Sequence, residues 1–457
     1  MREMILFHKT PAKWNKSGVF GTNDRVSGPP SHLPEHSVTA GINTLVSDDI
    51  YIQLCDRLRK ECGFDRLHVV QGFRAEEEKN WFVEEQQGRF VVSETLTYWC
   101  LTEPEQLMAL PTAEIVFSRG NYQRLHRELF EHANGLNEAF WIHYPATAAF
   151  FPHLDAYETY VMNSLKRKTN DVRSIKQQSI GMNVEHQITA TDGDTDQDFV
   201  DSLAAKIGKF REVRTRINNG PYDLVLVDDV PSMDFYQSVY PNSQILNFLK
   251  PCLSPQGAVR HDRKHDLMFC GTTLQPTKNH MQFLELLNDL DLTATSPISV
   301  AVVGNQGNMT SFSDRLRTTY VHLQVVDYGE VNRERLYELF NDTRAVIVLS
   351  GRDCNPRIIQ EAGVAGARVI ASDTLSDGRD VLSKNPILGS VVPTERSNWF
   401  FQKNGNLIFD VNRSFTLEVI EQLARSTHPM LTSSLARSKY SFDPTVEKIK
   451  SAFNLLN

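Results

Sequence analysis

The chain has 457 residues, too many for one ordinary hydrophobic core, so two domains are expected. Hydrophobic content of 40% and charged content of 23% are those of a soluble globular protein, and a formal net charge of −8 argues against a generic nucleic-acid-binding surface. No apolar run has the length of a membrane span, and the start, MREMILFHKT, lacks the apolar core of a signal peptide. The six cysteines (55, 62, 100, 252, 270 and 354) are scattered without a CxxC pair, which reads as reduced core thiols in a cytoplasm and argues against a zinc site.

In chain order, Met4 to His8 is a short strand, followed by a long segment rich in Gly, Pro, Ser and basic residues up to Ser37. Ile50 to Glu61 has helical periodicity. Apolar runs then predict strands over Leu67 to Val70, Phe90 to Ser93, Glu114 to Ser118, Ala139 to Tyr144, Leu224 to Val227 and Gln244 to Phe248, with an amphipathic helix over Asn121 to His132. Alternation of strand and helix implies a parallel, doubly wound sheet. The polar stretch from Asn170 to Asp198 breaks the rhythm and reads as an exposed loop or insertion before a helix over Phe199 to Arg216; its acidic residues lack the spacing of a calcium loop. His143 and Asp228-Asp229 fall at or near carboxyl ends of strands, where ligands bind in such sheets. A histidine so placed is either a substrate contact or, more commonly, a structural hydrogen-bonder. No GxGxxG follows an early strand, which disfavours a dinucleotide dehydrogenase.

Pro, Gly and charge cluster from Lys250 to His265, the expected linker. A second α/β domain follows: a strand over Leu267 to Cys270, a turn from Gly271 to Thr277, and a helix with Lys278 at its start. Lys278 there can place a cation near phosphate, helped by the helix dipole, or is a solvated lysine. Next come a strand over Ile298 to Val303 ending at Gly304-Asn305, a strand over Val321 to Val326, and a helix over Asn332 to Asn341.

The stretch from Val346 to Asp373, VIVLSGRDCNPRIIQEAGVAGARVIASD, reads as strand, loop, helix, strand. Ser350, Gly351 and Arg352 form the turn, Pro356 fits the first helical turn, and Gly366 is the stop. Asp353 and Glu361 bracket the helix start, eight positions apart. Carboxylates there can accept hydrogen bonds from sugar or ribose hydroxyls but would repel phosphate. The end of the chain, Phe415 to Asn457, is helical, including Pro444 to Leu456.

The residues Asp353, Cys354, Asn355, Pro356, Arg357 and Glu361-Ala362 resemble the acidic-x7-acidic motif of the retaining glycosyltransferases of group 1 (family 4) with the GT-B fold, which often reads Glu-Gly-Phe-Pro-Arg-x-x-x-Glu-Ala. Asp353 replaces the usual Glu, and Cys354-Asn355 replace Gly-Phe. Gly271 and Lys278 resemble the family's Gly-Arg-x-x-x-x-Lys segment, with one extra residue and with Thr272 or Thr273 where Arg is usual. The resemblance runs in order from Asp266 to Val392.

It implies two Rossmann-like, doubly wound parallel-sheet domains facing across a cleft: an acceptor-side domain over 1–255, a nucleotide-sugar domain over 256–440, and a terminal helix over 441–457 packing back on the first domain. It implies transfer of a sugar from a nucleotide-diphosphate sugar to an acceptor hydroxyl, with retention, without a metal and without a separate cofactor. Asp353, Lys278 and Arg357 then carry the catalytic role, with backbone N–H groups around Asn355 at the departing diphosphate. Gly271, Thr272, Gly304, Asn355 and Glu361 line the donor, Glu361 on the ribose hydroxyls and Asp353 on the transferred sugar. In such folds the loop after the first strand faces the cleft, so Gly18 and its neighbours could approach a sugar or phosphate, or form a plain surface loop; Gly18 and His143 are the acceptor-side candidates. The acceptor could be a glycan, a lipid carrier, a protein or a modified nucleic acid. The departures at Thr272 and Asp353 leave open a catalytically silent binding or scaffold protein, and a sugar-nucleotide epimerase on the same fold is a third reading.

Overall fold

The computed structural model describes residues 2–8, 13–14, 20–21, 49–71, 89–100, 108–119, 136–145, 197–198, 201, 205, 222–227, 233, 236–237, 240–252, 258–271, 278–304, 312, 314, 316, 319–351, 356–375, 378–395, 399–401, 407–425 and 428–456. The chain divides into two compact units: Met1–Ala149 with Thr215–Leu253 and Ser441–Asn457, and Phe150–Arg214 with Ser254–Tyr440.

In the first unit, β1 (Glu3–His8) pairs in parallel with β4 (Arg66–Gln71) on one side and β7 (Ile115–Arg119) on the other. Outward from β7 lie β8 (Phe140–Tyr144), β9 (Leu224–Val227) and β10 (Gln244–Asn247); outward from β4 lie β6 (Leu96–Cys100) and β5 (Arg89–Ser93). Successive side chains alternate between two cores. Met4, Leu6, Phe117 and Ile142 face one, and Ile5, Phe7, Val116 and Trp141 face the other. Burial on both faces is why these strands read as unbroken apolar runs. The exception to parallel pairing is β5, which turns back antiparallel onto β6. A two-residue pair, β2 (Lys13–Trp14) and β3 (Phe20–Gly21), forms a separate antiparallel ladder.

Helix α1 (Ile50–Cys62) starts where the Asp49 carboxylate accepts hydrogen bonds from the N–H groups of Tyr51 and Ile52 at 2.8 and 3.1 Å. It ends at Gly63 in the left-handed conformation (φ 70°). The last helix, α8 (Phe442–Leu456), belongs to this unit. Val446, Ile449 and Ala452 enter its core, Phe453 meets Phe140 edge-on at 5.4 Å, and the Thr445 hydroxyl donates to the Leu249 carbonyl at 3.2 Å. Burial of Val446 and Ile449 contributes about 2 kcal/mol each.

The second unit holds a six-stranded, all-parallel sheet in the order β13 (Leu323–Asp327), β12 (Ile298–Val303), β11 (His265–Cys270), β14 (Thr343–Val348), β15 (Arg368–Ser372), β16 (Gly389–Val392). Its helices are α2 (His280–Thr293), α3 (Arg333–Asn341), α4 (Arg357–Val364), α5 (Arg379–Lys384), α6 (Arg413–Ala424) and α7 (Pro429–Tyr440). A short antiparallel pair, β17 (Trp399–Phe401) and β18 (Leu407–Phe409), is added near the end. Leu267 and Phe269 of β11 pack with Phe283, Leu286 and Leu287 of α2 and Val419 of α6 in one core. On α4, Gly363 lets Ala436 of α7 approach: a Cβ there would lie 3.1 Å from that methyl group.

Both sheets are doubly wound. From β11 the chain builds outward through β12 and β13, then returns to the other side of β11 with β14. The carboxyl ends of β11 and β14 therefore form the switch point, where open α/β sheets bind ligands. Among the described residues no helix is long and apolar enough to cross a membrane.

Candidate functional site

The site is built from the loops that leave the second sheet at this switch point. Gly271, directly after β11, donates its N–H to the Val303 carbonyl at 2.9 Å. A Cβ on Gly271 would stand 3.2 Å from both Cβ and Cγ of Lys278, so the lysine stem is laid against bare backbone. The half-buried Lys278 is followed by Asn279, which is fully buried, and by His280, the first residue of α2. Burial depresses the His280 imidazole to about 4, against a hydrogen bond to the Gly271 carbonyl that raises it (Nε2 to O 3.3 Å). Phe269 and Phe312 meet its ring edge-on at 5.2 and 5.1 Å.

Across the switch point, β14 runs into the buried residues Leu349, Ser350 and Gly351. Beyond the loop, Pro356 precedes α4 with φ −63° and ψ 117°, and Arg357 opens the helix on an exposed face. Glu361 lies one turn on. Its side chain is only 12% exposed, and its Oε1 receives the Tyr337 hydroxyl at 3.4 Å and faces Arg333 Nη2 at 3.7 Å. Arg333 and Tyr337 are one turn apart on α3, and Arg333 Nη2 donates to the Tyr337 hydroxyl oxygen at 3.0 Å. The three side chains form a chain that orients one carboxylate.

Lys278 and Glu361 both act on the thiol of Cys270, the last residue of β11. Burial is the largest influence and pushes that thiol up to about 12; Lys278 draws it down and Glu361 pushes it up. Both charges are thus within electrostatic reach of the same strand end. Gly304, at the end of β12, donates its N–H to the Gly329 carbonyl at 2.8 Å and has φ 142°, a conformation that suits glycine. Among the described residues no group of three or more His, Cys, Asp or Glu is arranged to hold a metal ion.

Of the residues read from the sequence, Gly271, Lys278, Gly304, Arg357 and Glu361 lie at the carboxyl ends of the second sheet or in the helices that follow. Asp353, Asn355, Thr272 and Gly18 lie outside the described residues, as do Asp228 and Asp229. His143 is placed differently from an accessible ligand contact. It is fully buried in β8, its Nδ1 is 3.0 Å from the Ser118 hydroxyl, and its ring stacks on Tyr222 at 4.0 Å. This is the environment of a structural hydrogen-bonder. The sequence reading missed Asn279, Arg333 and Tyr337. The i, i+4 spacing of Arg333 and Tyr337 on a helix was the available signal for that pair.

Residues 257–398 match the family described as "Glycosyl transferases group 1". No curated protein sequence matches the chain. Its fold is similar to the solved structure of sucrose-phosphate synthase from Thermosynechococcus elongatus (TM-score 0.50, 11% identity), over 100% of this chain and 99% of that one. It is also similar to the lipopolysaccharide outer core galactosyltransferase WaaB in its apo form (TM-score 0.53, 10% identity), over 100% of both chains. With a doubly wound sheet in each unit, these findings show that the chain carries a glycosyltransferase group 1 domain over residues 257–398 and has the GT-B fold of these structures.

Proposed function

We propose that the second unit binds a nucleotide-diphosphate sugar at the β11/β14 switch point, and that the sugar passes to an acceptor hydroxyl with retention of configuration and without a resident metal. The observation that carries this reading is the placement of Lys278 between β11 and α2 and of Glu361 on α4 after β14, on the two segments that leave the switch point. The chemical need is positive potential at the departing diphosphate oxygens. Lys278 supplies it from a stem held against Gly271, and Arg357 with the positive end of the α4 dipole supplements it. Glu361 accepts hydrogen bonds from the two ribose hydroxyls, and Tyr337 fixes the carboxylate for that task. Asp353 takes the hydroxyls of the transferred sugar. Attack from the same face, assisted by the leaving phosphate, needs no dedicated protein base.

The acceptor is a hydroxyl of a glycan, lipid carrier, protein or modified nucleic acid, recognised by the first unit. The test is a thermal-shift screen of the full chain against nucleotide sugars, followed by the anomeric configuration of the product. A raised melting temperature with one donor and a retained anomer are expected. An inverted product would overturn the stereochemical part, and no shift with any donor would overturn the site.

A further inference from the structure

The geometry points to Asn279 as the positioning residue that sets Lys278 against the loop leading to Glu361, an inference that rests on the diphosphate role proposed for Lys278. Asn279 is the one side-chain-bearing residue with positive φ among the described residues, at φ 57° and ψ 53°. Asparagine tolerates this left-handed conformation better than most residues, but it still costs free energy, so something must hold it there. Its carboxamide does so. One nitrogen, Nδ2, donates to two carbonyl oxygens, Leu349 at 2.7 Å and Leu407 at 3.0 Å. The residue is fully buried, where such bonds are costly to lose.

The two acceptors come from segments far apart in the chain. Leu349 is the last residue before Ser350 and Gly351, which open the loop to α4, and Leu407 begins β18. The same Leu407 carbonyl is the atom that a side chain on Gly351 would strike. Three backbones therefore converge on one carboxamide: the start of α2 with Lys278, the exit of β14, and β18. Lys278 is covalently next to this junction and reaches the ligand edge from it. The residue touches no substrate in this account. It fixes where the Lys278 cation stands relative to Glu361, and an error of that kind weakens electrostatic binding steeply in a dry site.

The experiment is a double-mutant cycle on the full chain, read by calorimetric affinity for UDP, GDP and ADP, with the tightest of the three used throughout. Asn279→Gly keeps the left-handed backbone without strain and removes both bonds; Asn279→Asp keeps the shape and sets a carboxylate oxygen against the two carbonyls. Circular dichroism identifies which variant folds. Lys278→Ala is expected to weaken the diphosphate about tenfold or more, and Asn279→Gly about tenfold. On the Lys278→Ala background, Asn279→Gly is expected to add less than about twofold, because the cation it positions is gone. A purely structural role predicts equal losses on both backgrounds, and that additivity would overturn the inference. Wild-type affinity in Asn279→Gly, with Lys278→Ala weakened, would also overturn it and leave the diphosphate site standing. Wild-type affinity in Lys278→Ala, or no binding of any of the three nucleotides, would overturn the diphosphate site and the inference with it.

Discussion

Gly351 and the carbonyl of Leu407 are in such close approach that a Cβ on Gly351 would stand 1.8 Å from that oxygen. No side-chain rotation relieves a clash between Cβ and backbone, so the loop after β14 and the β17–β18 pair must separate if any side chain is added. Gly351→Ala is expected to destabilise the protein by about 3 kcal/mol and to reduce donor binding, because this loop leads to Glu361. Urea unfolding and calorimetry check it; an unchanged unfolding midpoint would mean that the approach is not as tight as described.

Tyr337 reaches the carboxylate of Glu361 from another helix, at 3.4 Å. Tyr337→Phe keeps the ring and its edge-on contact with Phe340 while removing the hydroxyl. Donor affinity is expected to fall about three- to tenfold, with the melting temperature nearly unchanged. Equal affinity would show that Glu361 is oriented without it.

Acid should weaken the second unit through His280. Its imidazole titrates at about 4 when folded, because it is buried, against 6.5 when exposed. The unfolded chain therefore binds the proton more readily, and stability rises with pH across this interval. The contribution is fully present above about 6.5 and is lost as pH falls toward 4, to a total of about 3 kcal/mol. His280→Gln is expected to flatten the melting temperature against pH over this range. A curve parallel to wild type would remove His280 as the cause.

The central strands of the second unit, β11, β12, β14 and β15, were legible in the sequence because they are mostly buried on both faces. The expected strand over Ile298 to Val303 coincides with β12, β11 begins two residues before the expected Leu267, and β14 begins at Thr343, three residues before the expected Val346. The expected strand from Val321 is displaced: β13 covers Leu323–Asp327, and Val321 is exposed, its N–H bound by Asp291. In the first unit Leu96–Cys100 was not recognised, since the turn that joins it to β5 is only two residues long. Gly271, Lys278 and Glu361 were legible as candidates because a glycine turn, a charge before a helix and the spacing of two acidic residues leave a local trace. Asn279 and Tyr337 left little, since their partners Leu349 and Glu361 are 70 and 24 residues away. His143 shows the limit of reading by strand position. It lies near a strand end, yet every residue of β8 is buried, so the position that suggested a ligand lies inside the core.

The central claim is that the Glu361 carboxylate holds the ribose of the donor nucleotide. The most direct measurement is the calorimetric affinity of Glu361→Ala for the nucleotide sugar that gives the largest thermal shift in the wild type. Loss of detectable binding, with the circular dichroism spectrum retained, is the predicted result. Wild-type affinity in a folded Glu361→Ala protein would contradict the account.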